Sequence, residues 1–182
     1  MLATIVLVAA GCASAPKPPR QIDDACAIFA EQPRWYRAAR QAERRWGTPV
    51  QVQLAIIRAE SGFRHNARPR ATQGQLLSTA YGYPQAIDGT WDWYREQTGN
   101  RRARRTSFAD AVDFIGWYTD VSQRQLGISK WDAHNQYLAY HEGHGGFQRG
   151  SYRNKDWLLR TARRVDQYAH TYGAQLRQCR RR

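Results

Sequence analysis

One carboxylic acid in this chain follows a long apolar run. Glu60 comes near the end of segment 48–62, in which apolar side chains fall on nearly every face of a helix. A helix that is apolar all round belongs in the centre of a fold. Burial and the partial negative charge at a helix C-terminus both disfavour an ionised carboxylate, so we expect Glu60 to have a raised pKa. A carboxyl group that keeps its proton near neutral pH can serve as a general acid.

A rim position is the simpler alternative for this acid. There, the Glu60 carboxylate would pair with Arg58 or Arg64, as surface carboxylates commonly do. The first interpretation predicts a buried, protonated Glu60, and the second predicts an ionised Glu60 paired with an arginine.

Local signals support a helix around Glu60. Thr48 and Gln51 have the spacing of a capping box, and Pro49 suits the first helical position. Gly62 is a typical residue for the helix end.

A long loop and two short motifs follow this helix in the sequence. Residues 63–82 lack periodicity and predict a long loop, which in a compact domain is usually functional. The loop leads into segment 81–87, Tyr-Gly-Tyr-Pro-Gln-Ala-Ile, and segment 137–145 reads Tyr-Leu-Ala-Tyr-His-Glu-Gly-His-Gly.

Glu60-Ser61 and these two stretches, in this order, resemble the lytic transglycosylase domain of soluble lytic transglycosylases, which is similar to goose-type lysozyme. That family has Glu-Ser at the end of an apolar helix, then Gly-Leu-Met-Gln, then Ala-Tyr-Asn-Ala-Gly. The resemblance covers roughly residues 35–150. Here Tyr83-Pro84 replaces Leu-Met, and His141-Glu142 replaces Asn-Ala.

The resemblance implies roles for four residues. Glu60 would be the catalytic acid, and Gln85 and Tyr140 would contact substrate. Ser78 is our candidate for a substrate-positioning serine of the loop. Tyr140 would also hydrogen-bond Glu60 and hold its orientation; alternatively, it is a core tyrosine whose hydroxyl meets a backbone carbonyl. The implied reaction cleaves the MurNAc-GlcNAc β-1,4 bond of peptidoglycan and forms 1,6-anhydro-MurNAc, without a cofactor.

A second carboxylate is the open question. Glycosidic cleavage usually takes two carboxyl groups, although some enzymes let the substrate's acetamido group replace one of them. Only Glu142 and Asp88 lie near the motifs. Three functions therefore remain: a lytic transglycosylase, a lysozyme that uses one of these carboxylates to position water, and an impaired wall-binding or scaffold lipoprotein.

Histidines raise the question of a metal. His141 and His144 flank Glu142 and Gly143, a spacing that does not place ligands on one helical face. We predict no metal site.

The chain is strongly basic, with 28 Lys and Arg against 15 Asp and Glu and a net charge of +13. Such a surface attracts nucleic acid, anionic lipid or an acidic polymer. The N-terminus favours export, because the apolar run 2–10 is too short to span a bilayer and is followed by Cys12 and a Pro-rich stretch. Export argues against nucleic acid as a partner.

This N-terminus resembles a bacterial lipoprotein signal. It predicts a signal peptide over 1–11, a lipidated Cys12 with a tether over 12–33, and a catalytic domain over 34–178. The protein would be periplasmic and held by lipid at the outer membrane; the alternative is an ordinary secretory signal. Cys26 and Cys179 then remain as an even pair in an oxidising compartment, and we predict a disulfide that stabilises the fold by roughly 4 kcal/mol.

Periodicity predicts an all-α single domain of about six helices, since no stretch alternates for long enough to predict a sheet. The resemblance implies that this domain has a lysozyme-like fold. An amphipathic helix precedes Gly47, and Asp88, Ser107 and Ser129 are predicted caps of later helices. The last helix carries an apolar stripe on one side and many Arg on the other.

Overall fold

The computed structural model describes residues 17–69 and 78–179. These ranges contain seven α-helices, and their only β-pairing is an isolated bridge between Tyr81 and Ala86. The prediction of an all-α domain is confirmed. None of the helices in the described ranges is long and apolar enough to cross a membrane. The helices are α1 (Ala25–Glu31), α2 (Pro33–Trp46), α3 (Val50–Ser61), α4 (Asp88–Thr98), α5 (Phe108–Leu126), α6 (Ala133–Gln148) and α7 (Asp156–Cys179).

Helix α3 is central, as its all-round apolar sequence predicts. It packs against α2, α5, α6 and α7, and its side chains from Leu54 to Ile57 are fully buried. Gly62 ends the helix in the left-handed conformation, with φ of 56°. Packing on four sides fixes the position of Glu60 in the last turn.

The predicted capping box at the start of α3 is wrong. Pro49 is the N-cap residue, and it makes no side-chain hydrogen bond to the helix. The Thr48 hydroxyl is buried and lies 2.5 Å from Oγ1 of Thr119 on α5. Glu43 of α2 instead accepts a hydrogen bond from the Val50 N–H at 3.3 Å. Contacts between helices therefore replace the local cap.

The other predicted caps have mixed outcomes. Ser107 caps α5 by accepting from the Asp110 N–H at 3.3 Å, as predicted. Asp132, not Ser129, caps α6 by accepting from the Asn135 N–H at 2.9 Å. Asp88 is the first residue of α4 and follows its N-cap.

The N-terminal segment is more ordered than a tether. Ala25 and Ile28 of α1 are fully buried, and the Ala25 N–H donates to Oε1 of Gln175 on α7 at 2.8 Å. The predicted tether over 12–33 is thus too long, because α1 belongs to the packed domain. Cys12 and the predicted signal peptide lie outside the described residues.

The predicted disulfide is confirmed. Cys26 on α1 is bonded to Cys179 at the end of α7, with the Cα atoms 5.9 Å apart and 153 positions between them in sequence. The bond therefore joins the first and last helices of the described fold.

Helix α6 is kinked at Gly143. Gly143 has φ 74° and ψ 158°, a conformation that favours glycine, but the helix resumes and continues to Gln148. Gly145 and Gly146 lie within the resumed helix. The kink puts Glu142 and Gly143 at the wall of the cavity described next.

Candidate functional site

A cavity of about 440 Å³ opens beside the end of α3. All four residues predicted as catalytic or substrate-contacting line it: Glu60, Ser78, Gln85 and Tyr140. The other walls come from residues of the loop before α4, from α4 and α5, and from the kink of α6. They are Pro69, Ala80, Ala86, Ile87, Thr90, Phe114, Tyr118, His141, Glu142 and Gly143.

Glu60 is partly exposed, at the floor of this cavity. Burial raises the pKa of its carboxyl group to about 7, and a hydrogen bond from the Tyr137 hydroxyl opposes the shift. A group with this pKa is largely protonated below neutral pH. The predicted raised pKa agrees with this environment.

Arg58 and Arg64 do not pair with Glu60. The Arg58 guanidinium pairs with Asp23 and lies 3.5 Å from the centre of the Tyr168 ring. Arg64 donates from Nε to the Ser61 carbonyl at 3.1 Å. Among the described residues, no cation lies within ion-pair distance of Glu60. The alternative of a rim carboxylate paired with either arginine is therefore wrong.

Tyr137, not Tyr140, hydrogen-bonds the acid. The Tyr140 hydroxyl donates to the Pro84 carbonyl at 2.6 Å, so the predicted Tyr140–Glu60 hydrogen bond is wrong and the backbone-carbonyl alternative is correct. Tyr137 lies one turn earlier on α6, and burial, the Glu60 charge and the Glu60 hydrogen bond raise its pKa. The sequence spacing could have indicated Tyr137 as an alternative partner, because residues three apart in a helix lie on the same face as each other.

Gln85 closes the loop that forms one wall of the cavity. Its backbone has φ of 49°, and Nε2 donates to the carbonyls of Ala67 at 2.9 Å and Gly82 at 2.8 Å. The side-chain nitrogen therefore holds the loop in shape. Contact of Gln85 with substrate stays a prediction.

The two residues that depart from the family pattern in this loop have structural roles. Tyr83 is buried, edge-on to Trp35 at 5.6 Å and to Phe108 at 5.7 Å. Pro84 supplies the carbonyl that accepts from Tyr140. The replacement therefore keeps the loop attached to the core and to α6.

Ser78 lines the cavity immediately after residues 70–77, which lie outside the described ranges. Its Oγ accepts a hydrogen bond from the Ala80 N–H at 3.1 Å. Its part in substrate positioning stays a prediction.

Glu142 is the second carboxylate in the cavity wall, and its oxygens are occupied. Lys155 Nζ lies 2.7 and 2.9 Å from the two oxygens, His141 Nδ1 lies 3.1 Å from one of them, and Ser151 donates to the other. Burial would raise the pKa of Glu142, but these hydrogen bonds outweigh it and lower the pKa to about 2. Such a group is a poor base near neutral pH.

Asp88 is the other predicted candidate, and it lies outside the cavity. Its side chain is exposed, and Oδ1 accepts from Arg105 Nη2 at 2.7 Å. It is not among the residues that line the cavity. Glu60 is thus the one carboxyl group of the described cavity wall without a salt bridge.

The two histidines of the α6 motif face different surroundings. His141 lines the cavity, whereas the His144 ring stacks on Tyr118 at 4.4 Å and its Nε2 lies 3.0 Å from the Ser122 hydroxyl. Residues 17–69 and 78–179 hold no group of three or more His, Cys, Asp or Glu side chains suited to a metal ion.

Compared with models of protein families, the chain matches the one described as "Transglycosylase SLT domain" over residues 1–179. No curated protein and no solved structure matches the chain.

Proposed function

The chain belongs to the transglycosylase SLT domain family, and from this premise we propose that it is a peptidoglycan lytic transglycosylase. The reaction cleaves the β-1,4 bond between MurNAc and GlcNAc and forms 1,6-anhydro-MurNAc. The observation that carries this proposal is a cavity with one carboxyl group of raised pKa, Glu60, and no available second carboxylate.

Glu60 acts first as the general acid. With a pKa of about 7 it is partly protonated in neutral solution, and the protonated form donates its proton to the glycosidic oxygen as the bond breaks. The acetamido oxygen of MurNAc stabilises the positive charge that develops at C1, as in substrate-assisted glycosidases. Tyr137 holds the carboxyl group in place through its hydroxyl.

Glu60 then acts as the base. Once it has given up its proton, its carboxylate accepts the proton of the C6 hydroxyl of the same sugar while that oxygen attacks C1. The attack is intramolecular, which gives it a large advantage in effective concentration over water. Protons balance, because the acid regains the one that it donated.

Hydrolysis, as in a lysozyme, is the second candidate. It needs a base that positions water, and Glu142 lines the right cavity. Three donors already occupy its carboxylate, however, and its low pKa makes it a weak base. These contacts favour the transglycosylase.

An impaired wall-binding or scaffold protein is the third candidate, suggested by the altered motif residues. Tyr83 and Pro84 maintain the loop, however, and Glu60 keeps its raised pKa and its tyrosine partner. A protein that only binds glycan has no need for a buried acid without a cation partner.

We also propose that the protein is periplasmic and anchored at the outer membrane by lipid on Cys12. The apolar run 2–10, the following cysteine and the Pro-rich stretch support this. The disulfide is in keeping with an oxidising compartment.

Digestion of purified sacculi, with mass spectrometry of the released muropeptides, tests the activity. We expect anhydro-muropeptides from the wild type and no release by a folded Glu60→Gln variant. Mainly reducing-end products would identify a lysozyme. A folded wild-type protein that binds sacculi without cutting them would support the scaffold instead.

A further inference from the structure

A shallow, open depression lies along the exposed face of α7. We call it the α7 groove. The indole of Trp157 is half exposed at one end, and three arginines follow at helical spacing. The residues that line the groove are Trp157, Arg160, Thr161, Arg163, Arg164 and Gln167.

The arginines of the α7 groove lack carboxylate partners in the described part of the chain. Of the nearby carboxylates, Asp166 lies 3.5 Å from His170 and Glu142 binds Lys155. Asp156, exposed one turn before Arg160, forms no ion pair within the described residues. Arg164 donates only to the Thr161 hydroxyl, at 3.3 Å. The groove therefore presents three guanidinium groups, whose planar donor arrays match carboxylate geometry.

The α7 groove adjoins the catalytic cavity. His141, which lines the cavity, packs edge-on against Trp157 with the ring centres 5.0 Å apart. Arg164 also lines a small depression with Ala59, the neighbour of Glu60 in sequence. A ligand that leaves the cavity past His141 therefore meets the indole first and the arginines next.

We propose that the α7 groove binds the carboxylate-bearing peptide stems of the glycan strand whose sugars occupy the cavity. This inference rests on the proposed function. A muramic acid residue carries its peptide as a lateral substituent, so a strand in the cavity extends its stems beyond the cavity wall. Arginine pairs with the stem carboxylates, and Trp157 provides a rigid apolar surface for the chain between them.

An anionic lipid surface is the competing ligand for the same charges. We favour the peptide stem because the α7 groove lies next to the cavity, with Trp157 of the groove in contact with His141 of the cavity wall. The experiment separates the two.

Binding to two forms of the same sacculi tests the proposal. In one form the stem carboxylates are converted to amides with a carbodiimide and excess ammonium; the other form is untreated. All proteins carry Glu60→Gln, so that binding is measured without turnover. The groove variant adds Arg160→Gln and Arg163→Gln; Arg164 is left in place because its charge acts on Tyr137.

The matched control adds Arg101→Gln and Arg102→Gln. These arginines are equally exposed but lie in the connection after α4. Both variants lose two positive charges, so any difference between them reflects position and not net charge.

At low ionic strength we expect the groove variant to bind native sacculi about three- to tenfold more weakly than the parent. It should bind amidated sacculi as the parent does, and the control should match the parent on native sacculi. Equal losses by the groove variant on both forms, or equal losses by groove and control variants, would overturn the proposal. So would a groove variant that binds native sacculi normally but fails to sediment with anionic vesicles, which would assign the groove to lipid. The binding result stands whether or not the wild type cleaves, so failure to cleave counts against the proposed function alone.

Discussion

Glu60 owes its chemistry to a position between burial and solvent. Apolar neighbours on α3 keep water away from one side, and the cavity admits substrate on the other. Burial raises the pKa to about 7, and Tyr137 keeps it from rising further. One carboxyl group can therefore change protonation state twice in a catalytic cycle near neutral pH.

The first prediction concerns stability and pH. Glu60 titrates at 4.5 when unperturbed and at about 7 in the fold. Between these values the folded state binds the extra proton, so the free energy of unfolding decreases as pH rises. Glu60→Gln removes this loss. The difference in unfolding free energy, variant minus wild type, should therefore increase by roughly 2–3 kcal/mol from pH 4 to pH 8, as measured by denaturant titrations.

Glu96→Gln is the matched control, because Glu96 is exposed on α4. It should follow the wild-type curve at every pH. A Glu60→Gln variant that also follows that curve would show that the fold does not raise the pKa of this acid. In turnover assays, the wild-type rate should fall above about pH 7, where the acid loses its proton.

The second prediction separates the two tyrosines of α6. Tyr137→Phe removes the hydrogen bond that lowers the pKa of Glu60, so the falling limb of the pH–rate profile should move to higher pH. Turnover at the optimum should decrease by about tenfold, because the acid loses its orientation. Tyr140→Phe removes a bond to the Pro84 carbonyl and should leave the limb in place. If the falling limbs of the two pH–rate profiles lie at the same pH, the assignment of Tyr137 as the hydrogen-bond partner of Glu60 is contradicted.

At the scale of elements, the kink in α6 is held from outside the helix. Glu142, just before Gly143, binds Ser151 in the following turn and Lys155 immediately before α7. Its side chain is only 4% exposed. This carboxylate therefore fastens the cavity wall to the next helix.

The third prediction is that Glu142→Gln weakens the fold and leaves the reaction unchanged. Its loss of charge should lower the free energy of unfolding at pH 7 by about 1–3 kcal/mol. Since the fold lowers the pKa of Glu142 to about 2, the charged group stabilises above pH 4.5, and the deficit should shrink as pH falls toward 2. Asp92→Asn, which removes an exposed ion pair, should cost less than about 1 kcal/mol. We expect Glu142→Gln to form anhydro products at nearly the wild-type rate. If instead the wild type forms reducing-end products and Glu142→Gln does not, Glu142 acts as a base.

The sequence predicts the helices that have a strong apolar pattern. It does not predict the caps and side-chain contacts that depend on how one helix packs against another. Helix α3 is apolar all round, so any fold must bury it and place Glu60 near its end. The cap by Glu43 depends on the docking of α2. Which α6 tyrosine faces Glu60 depends on the rotation of α6 against α3. Helix α1 has only seven residues, too few for a periodic signal of its own, and it is held by α7, α2 and the disulfide.

At the scale of the molecule, the disulfide closes almost the whole domain. The fourth prediction is that Cys26→Ser with Cys179→Ser lowers the free energy of unfolding by about 4 kcal/mol, because the unfolded chain regains loop entropy. Guanidinium unfolding measures it. Wild-type protein reduced with dithiothreitol should unfold at the same midpoint as the double variant. If the double variant and the reduced protein both unfold at the midpoint of the oxidised wild type, the disulfide does not stabilise the fold.

The fifth prediction concerns the anchor, which lies outside the described residues. Cys12→Ser should release the protein into the soluble periplasmic fraction, because no acyl chain would then hold it. Fractionation with immunodetection measures the change. A variant that remains with the membrane would show that Cys12 is not the anchor.

The Cys26–Cys179 bond also determines how tension would pass through the molecule. It fastens the beginning of the fold to the far end of α7, whose 24 residues extend about 36 Å at 1.5 Å each. Trp157, at the other end, touches the cavity through His141. With lipid on Cys12, a pull from the membrane would enter α7 through a covalent link and bypass α1.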